Sequence, residues 1–298
     1  MIVVFGSINI DLVFAVPHIP QSGETVLCAA ATMQPGGKGA NQAVAAARDG
    51  APVVMVGAVG RDALAEDALA LLQQAGTDLT RIARTSAGTA CAAVAVDPLG
   101  NNAISVGSGA NLLVRSAQVE DALLTPATTL VLQMEVDPGE TAALIARAKG
   151  RVGRIILNLA PAASLPLESL RALDLLVVNE TESAWLAKFL GCADTAPALR
   201  SALGVDVVRT LGGDGLEAAT AAAFLRLPAY QVSVVDTTAA GDCFVGVLAA
   251  GLDRGMALTD ALQRASAAAA LCCTRAGSQQ SAPARDETDR FIQSQGGG

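Results

Sequence analysis

Residues 175–190, LLVVNETESAWLAKFL, contain the pattern that decides the fold. The four apolar residues at 175–178 show no polar alternation, which is typical of a strand that is buried on both faces. Polar residues follow, and 180–190 has the spacing of a helix. A buried strand that leads into a helix predicts a βα unit, and repeated βα units build a parallel sheet.

The same alternation of apolar runs and helical runs extends along the chain. It predicts an α/β fold in which a central, mainly parallel sheet is flanked by helices on both faces. The other predicted strands are 2–5, 53–56, 130–134, 155–157 and 205–211, with a late antiparallel edge at 224–227 and 230–235. The other predicted helices are 37–48 with its opening loop, 62–74, 139–148, 238–253 and 258–274.

Two segments, about 10–33 and about 89–106, interrupt this rhythm because neither has helical periodicity. Residues 25–32 alternate as a strand does, and DPLGN at 97–101 predicts a turn between two strands. We expect these segments to form a small β-sheet, inserted in a single domain of residues 1–298, that closes over a ligand as a lid. An irregular edge of the main sheet is the alternative.

The composition excludes several classes of protein. The 298 residues are 52% hydrophobic with a net charge of −8, which excludes a disordered chain and argues against a surface that binds nucleic acid or anionic membranes. His18 is the only histidine, so a zinc site with two histidines is impossible. We expect no membrane span and no targeting segment. Six cysteines without a CxxC pair favour a reducing, cytoplasmic location.

The motif DTTAAGD at 236–242 points most directly to chemistry. We expect residues 232–235 to form a strand that ends here, and the apolar run after Asp242 to form a helix. The first N–H groups of a helix lack internal partners, so the small residues of this turn can bind the charge of a phosphoryl group. Asp242 can accept a proton from a substrate hydroxyl. The alternative is that Asp242 only caps its own helix.

A second group of polar residues lies near the start of the chain. GGKGANQA at 36–43 is a glycine-rich turn that opens a helix, in an order unlike a Walker A loop. Asn9 and Asp11 share one face of an extended chain, where a polar pair can grip vicinal hydroxyls. A glycine hinge and an Asx turn are the alternatives. The first strand lacks a GxGxxG sequence after it, which disfavours a dehydrogenase.

Three further motifs follow predicted strands, where α/β proteins gather their ligand sites. Glu135 follows the strand at 130–134. NETE at 179–182 includes Glu182, which could orient water on Mg²⁺, although a capping arrangement alone would explain the motif. TLGGDG at 210–215 suits a nucleotide, with a hairpin turn as the alternative.

Together and in this order, the motifs resemble the ribokinase-like (PfkB) family of carbohydrate kinases over nearly the whole chain. Residues 236–242 and 36–43 resemble the two signatures of that family, and the GGKGANQA form is typical of its ribose kinases. The resemblance implies one α/β domain with a β-lid that pairs in homodimers. It also implies transfer of the γ-phosphoryl of ATP to the 5-hydroxyl of D-ribose, with Mg²⁺ and an activating K⁺.

The resemblance further implies a role for each matching position. Asp242 would be the catalytic base, with an anion hole at Ala239, Ala240 and Gly241. The sugar site would contain Asn9, Asp11, Gly37, Lys38 (mainly through its backbone), Asn41, Glu135 and Asp242. The nucleotide would contact Asn179, Thr210, Gly212, Gly215, Gly241 and Ser266. Glu182 would place Mg²⁺ through water, and K⁺ would contact Asp236, Thr238, Cys272, Arg275, Gly277 and Ser281, several through backbone carbonyls.

The chain departs from the family pattern at a few positions. Ser266 replaces a histidine that is frequent near the adenine, and Cys243 replaces the usual threonine beside the base. Cys272 stands where only a carbonyl is needed. Alternative substrates are 2-deoxyribose, fructose or a nucleoside, and the alternative to an enzyme is a sugar-binding sensor without turnover. We expect a sugar and ATP as partners, and neither nucleic acid nor a membrane.

Overall fold

The computed structural model describes residues 1–99 and 101–295, which form one sheet of nine strands and a second sheet of four. The strands are β1 (Ile2–Phe5), β2 (Asn9–Ala15), β3 (Ala31–Gly36), β4 (Val53–Val59), β5 (Asp78–Arg84), β6 (Ala90–Val96), β7 (Asn102–Gly107), β8 (Thr129–Leu132), β9 (Arg154–Asn158), β10 (Leu175–Val178), β11 (Asp206–Thr210), β12 (Leu216–Ala219) and β13 (Phe224–Leu227). The helices are α1 (Lys38–Arg48), α2 (Leu64–Gln74), α3 (Pro138–Ala148), α4 (Leu167–Leu170), α5 (Glu180–Leu190), α6 (Ala196–Leu203), α7 (Ala240–Asp253), α8 (Leu258–Cys273) and α9 (Arg285–Gln295).

The larger sheet has the strand order β13-β12-β11-β10-β9-β8-β1-β4-β5. Neighbouring strands from β11 to β5 are parallel, and β12 and β13 extend one edge as antiparallel strands. Strand β1 shows why the strands lack a polar face. Ile2 and Val4 join one apolar layer, whereas Val3 and Phe5 join the layer on the opposite side. The predicted α/β fold with a mainly parallel sheet is confirmed.

Helices cover both faces of this sheet. The residues of α1, α2, α7 and α8 form one apolar layer with it, and those of α3, α5 and α6 form the other. The alanine-rich sequences of α1, α7 and α8 allow these helices to pack closely together. No helix within residues 1–99 and 101–295 combines the length and the apolar character needed to cross a bilayer.

The smaller sheet has the order β3-β2-β6-β7 and comes from the two segments that interrupt the βα rhythm. Its outer pairs are antiparallel and its central pair, β2 and β6, is parallel. The predicted strand at 25–32 is wrong over 25–30, because alternation makes a strand only where one face is covered. There the side chain of Leu27 is 87% exposed, and β3 begins at Ala31. In the predicted turn at 97–101, Gly100 lies outside the described residues.

The predicted strand at 232–235, within the predicted edge at 230–235, is also wrong. Val234 and Val235 are 62% and 64% exposed, so this apolar run has no layer to pack against. The N–H group of Val235 instead donates to the carbonyl of Cys273 at 2.8 Å, at the end of α8. Helix α7 begins at Ala240 because Ala239 has a left-handed φ of 58°. The loop before α7 is therefore held by a helix end.

Strands β5 and β12 were not predicted from the sequence. Strand β5, DLTRIAR, lies at the sheet edge, where its residues are exposed or only partly buried and three of them are charged. Strand β12, LEAA, is buried, but its alanines and glutamate are typical of a helix. In both cases the position in the sheet overrides the local preference of the residues.

The carboxylate of Asp49, at the end of α1, ties α7 and α8 to that helix. Arg254 Nη1 donates to the carbonyl of Asp49 at 2.6 Å, and Arg264 Nε donates to its Oδ1 at 2.9 Å. Arg264 also pairs with Asp289 of α9. Because Asp49 is 1% exposed, its loss would leave buried guanidinium groups without their main partner.

We expect Asp49→Ala to lower the free energy of unfolding by about 3–5 kcal/mol, because it breaks a buried ion pair from one side. Urea denaturation at neutral pH measures this change. The control is Asp286→Ala, which removes the exposed pair with Arg290 and should cost no more than about 0.5 kcal/mol. Equal losses in the two variants would contradict the structural role of Asp49.

Candidate active site

Two neighbouring cavities open at the carboxyl edge of the larger sheet, where Glu135 follows β8 and Asn179 follows β10. The larger cavity, about 1030 Å³, lies between this edge and the smaller sheet. The smaller cavity has a volume of about 210 Å³. Lys38, Ala239 and Asp242 line both cavities and therefore form the wall at which they meet.

The cavities collect many, but not all, of the residues predicted from the sequence. The larger cavity is lined by Asn9, Asp11, Gly37, Lys38, Asn41, Glu135, Asp236, Thr238, Ala239 and Asp242. The smaller cavity is lined by Lys38, Asn179, Glu182, Thr210, Ala239, Gly241 and Asp242. Among the described residues, neither lining includes Ala240, Gly212, Gly215, Ser266, Cys272, Arg275, Gly277 or Ser281.

Asp242 lies in the first turn of α7 and is 6% exposed. Its Oδ2 accepts a hydrogen bond from Asn41 Nδ2, and its Oδ1 accepts one from Gln42 Nε2, both at 2.9 Å. Both donors belong to α1. The carboxylate therefore bonds across to another helix rather than to the start of its own, which disfavours the capping interpretation.

Burial has the largest effect on the acidity of this carboxyl group and raises the pKa of Asp242. The positive charge of Lys38 and the hydrogen bonds from Asn41 and Gln42 oppose this effect, whereas the negative charge of Glu135 adds to it. A carboxylate with a raised pKa holds a proton more firmly, which suits a general base.

The turn before α7 contains the three residues predicted to hold an anion. Ala239 is the residue at which the chain turns into the helix, with a left-handed φ of 58°. The N–H group of Ala240 already donates to the carbonyl of Thr237 at 3.2 Å. Gly241 has open space beside it, since an added Cβ would meet nothing within 4 Å. Of the three, Gly241 is thus the most accessible to a ligand in the smaller cavity.

Asn9 and Asp11 both face the larger cavity from β2, as their spacing predicts. The Oδ1 of Asn9 accepts a hydrogen bond from Asn111 Nδ2 at 2.7 Å. Burial, together with the negative charges of Glu135 and Asp242 and against the positive charge of Lys38, raises the pKa of Asp11 to about 6. The Asp11 carboxylate is therefore costly to ionise in the folded chain.

Lys38 contributes both its backbone and its side chain to the cavities. Its N–H group already donates to Glu135 Oε2 at 2.9 Å, and Ser7 Oγ donates to the same oxygen at 2.6 Å. The negative charge of Asp242 has the largest effect on the Lys38 ammonium group and raises its pKa, and the charges of Glu135 and other carboxylates act in the same direction. The side chain of Lys38 supplies the positive charge between the two cavities.

Asn179 and Glu182 form a capping box at the start of α5. Glu182 N donates to Asn179 Oδ1, and Asn179 N donates to Glu182 Oε2, both at 2.8 Å. This is the capping arrangement that the sequence left as the alternative. Glu182 also lines the smaller cavity, and burial raises its pKa. The described residues contain no group of three or more His, Cys, Asp or Glu side chains placed to hold a metal ion.

Gly215 has a structural reason to be glycine. Its φ is 96°, and a Cβ there would lie 2.0 Å from the carbonyl oxygen of Leu227 in β13. The turn interpretation of 210–215 therefore accounts for this residue. Ser266 lies half-buried on α8, and Thr210 alone among the residues predicted at 210–215 reaches the smaller cavity.

Asp236 joins the loop before α7 to the loop after α8. Its Oδ1 accepts from Thr238 N at 2.8 Å, and its Oδ2 accepts from Gly277 N at 2.9 Å. Nearby, Cys272 Sγ lies 2.9 Å from Ser281 Oγ, so the thiol has a partner at a position where only a carbonyl was expected to matter. Arg275 forms an ion pair with Glu287 at 2.7 Å. The residues predicted to bind K⁺ are thus gathered around one pair of loops.

Several residues that support the site were not singled out as site residues by the sequence. Ser7 and Asn111 hold Glu135 and Asn9, and Gln42 holds Asp242. The only sequence signal was position: Ser7 lies two residues before Asn9, and Gln42 lies inside the GGKGANQA motif. Two further residues lie at strand ends near the site. Gln133 follows β8 and donates to Gln42, and Asn158 ends β9 and lines the smaller cavity.

The pKa of Asp11 leads to a prediction for the ligand-free protein. A carboxyl whose pKa rises from 3.8 to about 6 on folding binds more protons in the native state, so stability falls as pH rises through this window. We expect Asp11→Asn to remove this loss and to raise the free energy of unfolding at pH 7.5 by about 1–3 kcal/mol. The gain should shrink at pH 4.5, as urea denaturation at both values would measure.

Asp78→Asn is the matched control, because hydrogen bonds from Thr80 lower the pKa of Asp78. Relative to the unchanged protein, Asp78→Asn should not raise the free energy of unfolding at pH 7.5. If Asp11→Asn fails to stabilise the protein at pH 7.5, the cost assigned to the ionised Asp11 is refuted.

Comparison with known proteins bears on this site. The chain is 34% identical to the ribokinase of Haemophilus influenzae over 97% of each chain, and 31% identical to the deoxyribokinase of Salmonella typhi over 98% of each chain. The ribokinase of Arabidopsis thaliana, solved in complex with ribose and ATP, is 28% identical and covers 98% of both chains, with a TM-score of 0.87.

The family comparison covers nearly the whole chain. Residues 1–285 match the model of the pfkB family carbohydrate kinases. This match agrees with the relatives above and with the order of the motifs along the chain, so the expectation of an ATP-dependent sugar kinase is confirmed. The chain belongs to the pfkB family of carbohydrate kinases.

Proposed function

We propose that this sugar kinase transfers the γ-phosphoryl group of ATP to the 5-hydroxyl of D-ribose. The observation that carries the proposal is the wall of Lys38, Ala239 and Asp242 that the two cavities share. An acceptor sugar in the larger cavity and the phosphates of ATP in the smaller one would meet at this wall. Phosphoryl transfer depends mainly on such positioning and on neutralisation of charge.

Asp242 acts as the general base in this proposal. It takes the proton of the sugar hydroxyl as that oxygen attacks the γ-phosphorus, while Asn41 and Gln42 hold the carboxylate in place. The buried Oδ1 of Asn41 has no hydrogen-bond partner within the described residues. A sugar hydroxyl that donates to this oxygen would satisfy it.

The sugar is held by polar groups of the larger cavity. Carboxylates and amides there can accept and donate hydrogen bonds to several hydroxyls at once, and the charge of Lys38 offsets the repulsion between the carboxylates. The proposed sugar-binding residues are Asn9, Asp11, Gly37, Lys38, Asn41, Glu135 and Asp242. We propose that the smaller sheet closes over the sugar as the lid of one domain, residues 1–298.

The phosphates of the nucleotide occupy the smaller cavity, toward the start of α7. The residues 239–241 bring the positive end of the helix dipole and the open space at Gly241 to the transferred group. The proposed nucleotide contacts are Asn179, Thr210, Gly212, Gly215, Gly241 and Ser266. Bound Mg²⁺ would neutralise phosphate charge, and we propose that Glu182, whose Oε2 accepts the capping hydrogen bond, would place it through water.

We further propose a K⁺ site in the loops that Asp236 joins. A cation bound there by oxygen atoms would rigidify the turn that leads into α7, and so would act on the anion hole without contacting substrate. The proposed residues are Asp236, Thr238, Cys272, Arg275, Gly277 and Ser281. The free cysteines of the chain fit a reducing cytoplasm, the proposed location.

Other family substrates remain the second candidate, and the similarity to a deoxyribokinase favours 2-deoxyribose among them. Fructose and nucleosides are weaker alternatives, because the GGKGANQA motif is typical of ribose kinases. A sensor without turnover is disfavoured, since Asp242 lies at the wall between the cavities and Gly241 lines the smaller cavity.

The test is ADP release by the purified protein with MgATP across ribose, 2-deoxyribose, fructose, fructose phosphate, adenosine and no acceptor. Each acceptor is measured in K⁺ and in Na⁺ alone. We expect turnover with ribose, stimulated by K⁺. Faster turnover with 2-deoxyribose would move the assignment to the second candidate, and ribose binding without turnover would indicate the sensor.

The control is Asp242→Ala, for which we expect kcat to fall at least ~10²-fold and far more than KM for the sugar rises, because proton transfer occurs in the transition state while the other sugar-binding residues remain. An unchanged kcat would refute the assignment of the base and leave the substrate assignment standing.

We also propose a homodimer that pairs through the smaller sheet. Its edge strands, β3 and β7, expose apolar side chains: Met33 is 48% exposed, Ile104 56% and Val106 50%. Ile104 and Val106 share one face of β7, which also borders the larger cavity, and exposed apolar groups that share a face are typical of an interface.

Light scattering should therefore give twice the 29.9 kDa mass of the chain. Ile104→Lys, which places a charge on the exposed apolar face of β7 beside the larger cavity, should give the single-chain mass in a protein that still unfolds cooperatively. A wild-type protein of single-chain mass at all concentrations would overturn the dimer.

A further inference from the structure

A chain of side-chain amides runs from the end of β8, through α1, to the carboxylate of Asp242. Gln133 Nε2 donates to Gln42 Oε1 at 2.7 Å, and Gln42 Nε2 donates to Asp242 Oδ1 at 2.9 Å. The three residues are 91 and 200 positions apart along the sequence. The fold alone brings them together.

The hydrogen bonds that link Gln133, Gln42 and Asp242 fix which end of the Gln42 amide donates and which end accepts. Because Gln133 donates to the oxygen of Gln42, the Nε2 of Gln42 is the end that remains for Asp242. Without Gln133, the amide of Gln42 could rotate and present its oxygen to the carboxylate. Two acceptors would then face each other.

The surroundings leave little room for other arrangements. Gln42 and Gln133 are both 0% exposed. A Cβ on Gly6 would lie 1.8 Å from Gln133 Oε1, and a Cβ on Gly246 would lie 2.4 Å from the carbonyl oxygen of Gln42. Glycine at these two positions makes space for Gln133 and for the close contact of α1 with α7.

Stability alone does not account for these buried amides. The Oε1 of Gln133 has no hydrogen-bond partner within the described residues, and an unsatisfied buried acceptor costs about 1–3 kcal/mol. An apolar side chain of similar size would avoid this cost. The amide chain is therefore better explained by what it does to Asp242 than by its contribution to folding.

We propose that Gln42, oriented by Gln133, is a positioning residue that fixes the Asp242 carboxylate toward the wall between the cavities. Asn41 bonds the Oδ2 and Gln42 bonds the Oδ1, so rotation of the carboxylate would break both bonds. The inference rests on the proposed role of Asp242 as the base. Neither glutamine reaches a cavity lining in the described residues, so both act through Asp242.

Gln42 also acts on the charge of Asp242 without adding charge itself. As a neutral donor it stabilises the ionised carboxylate against the effect of burial, so its removal should raise the pKa of Asp242. The titratable and charged groups that face Asp242 from neighbouring elements are Lys38, Glu135, Asp11, Glu182 and Cys272. These groups stay in place when only the glutamines are changed.

The experiment compares Gln42→Met and Gln133→Met, two changes of similar volume that remove the amide. For Gln42→Met we expect kcat with the best acceptor of the panel to fall about 10- to 100-fold, with KM for sugar and ATP within about threefold. The acid limb of the pH profile of kcat/KM should move to higher pH. Gln133→Met should change both quantities in the same direction by less.

Gln118→Met is the matched control. Its Nε2 donates to the carbonyl of Gly57 at 2.9 Å and, among the described residues, Gln118 lines neither cavity, so the substitution removes a side-chain amide bond without changing a cavity residue. Its pH profile should match that of the unchanged protein. A purely structural role for Gln42 predicts the same behaviour in Gln42→Met, with a lower unfolding temperature and an unchanged profile.

Asp242→Asn separates the two hypotheses. If this variant keeps its kcat, the proposed base is wrong and the inference falls with it. If it loses at least ~10²-fold while Gln42→Met and Gln133→Met keep the kcat and the pH profile of the unchanged protein, only the inference is overturned. If Gln42→Met does not fold, Gln133→Met tests the inference instead, because it removes the hydrogen bond to Gln42 and leaves the bonds to Asp242 in place.

The double variant Asp242→Asn/Gln42→Met adds a further readout. When the base is absent, its orientation has no effect, so we expect the second substitution to lower kcat by less than about twofold. Full additivity of the two losses would show that Gln42 acts independently of Asp242 and would overturn the proposal.

Discussion

The packing of α1 against α7 is the constraint on which the site depends. It brings the amides of Asn41 and Gln42 within 2.9 Å of the Asp242 carboxylate and so makes burial of that carboxylate tolerable. The same contact places Lys38, at the start of α1, beside the start of α7. A relative shift of these helices would separate the Asp242 carboxylate from its donors. The same shift would open the wall between the cavities.

The charges of the site explain why this packing has to be firm. Asp11, Glu135, Glu182 and Asp242 gather around one ammonium group, Lys38, and burial raises the pKa of Asp11, Glu182 and Asp242. Such a cluster opposes folding. It persists because the apolar layers on both faces of the sheet and the buried pairs of Asp49 hold the surrounding elements. The cluster then offers fixed acceptors to hydroxyl groups.

Local sequence predicted the parts of the molecule in which one signal dominates. Buried parallel strands are apolar throughout, so β10 and its helix were found with the observed bounds. The wrong strand at 232–235 and the missed β12 were decided by neighbours that the local pattern does not contain. Asn9 and Glu135 were predicted from strand ends, because parallel strands end at one edge. The contact of Gln133 with Gln42 joins residues 91 positions apart, and no local pattern encodes it.

The larger cavity is formed by two kinds of element, packed helices and the smaller sheet. Asp242, the proposed base, lies on the packed helix α7, whereas the opposite side of the larger cavity comes from the smaller sheet, whose edge strands carry exposed side chains. Changes in that sheet can alter which acceptor fits without moving Asp242 or its amide donors. A sugar kinase built on this plan can therefore change the acceptor that it fits while Asp242, the proposed base, keeps one geometry.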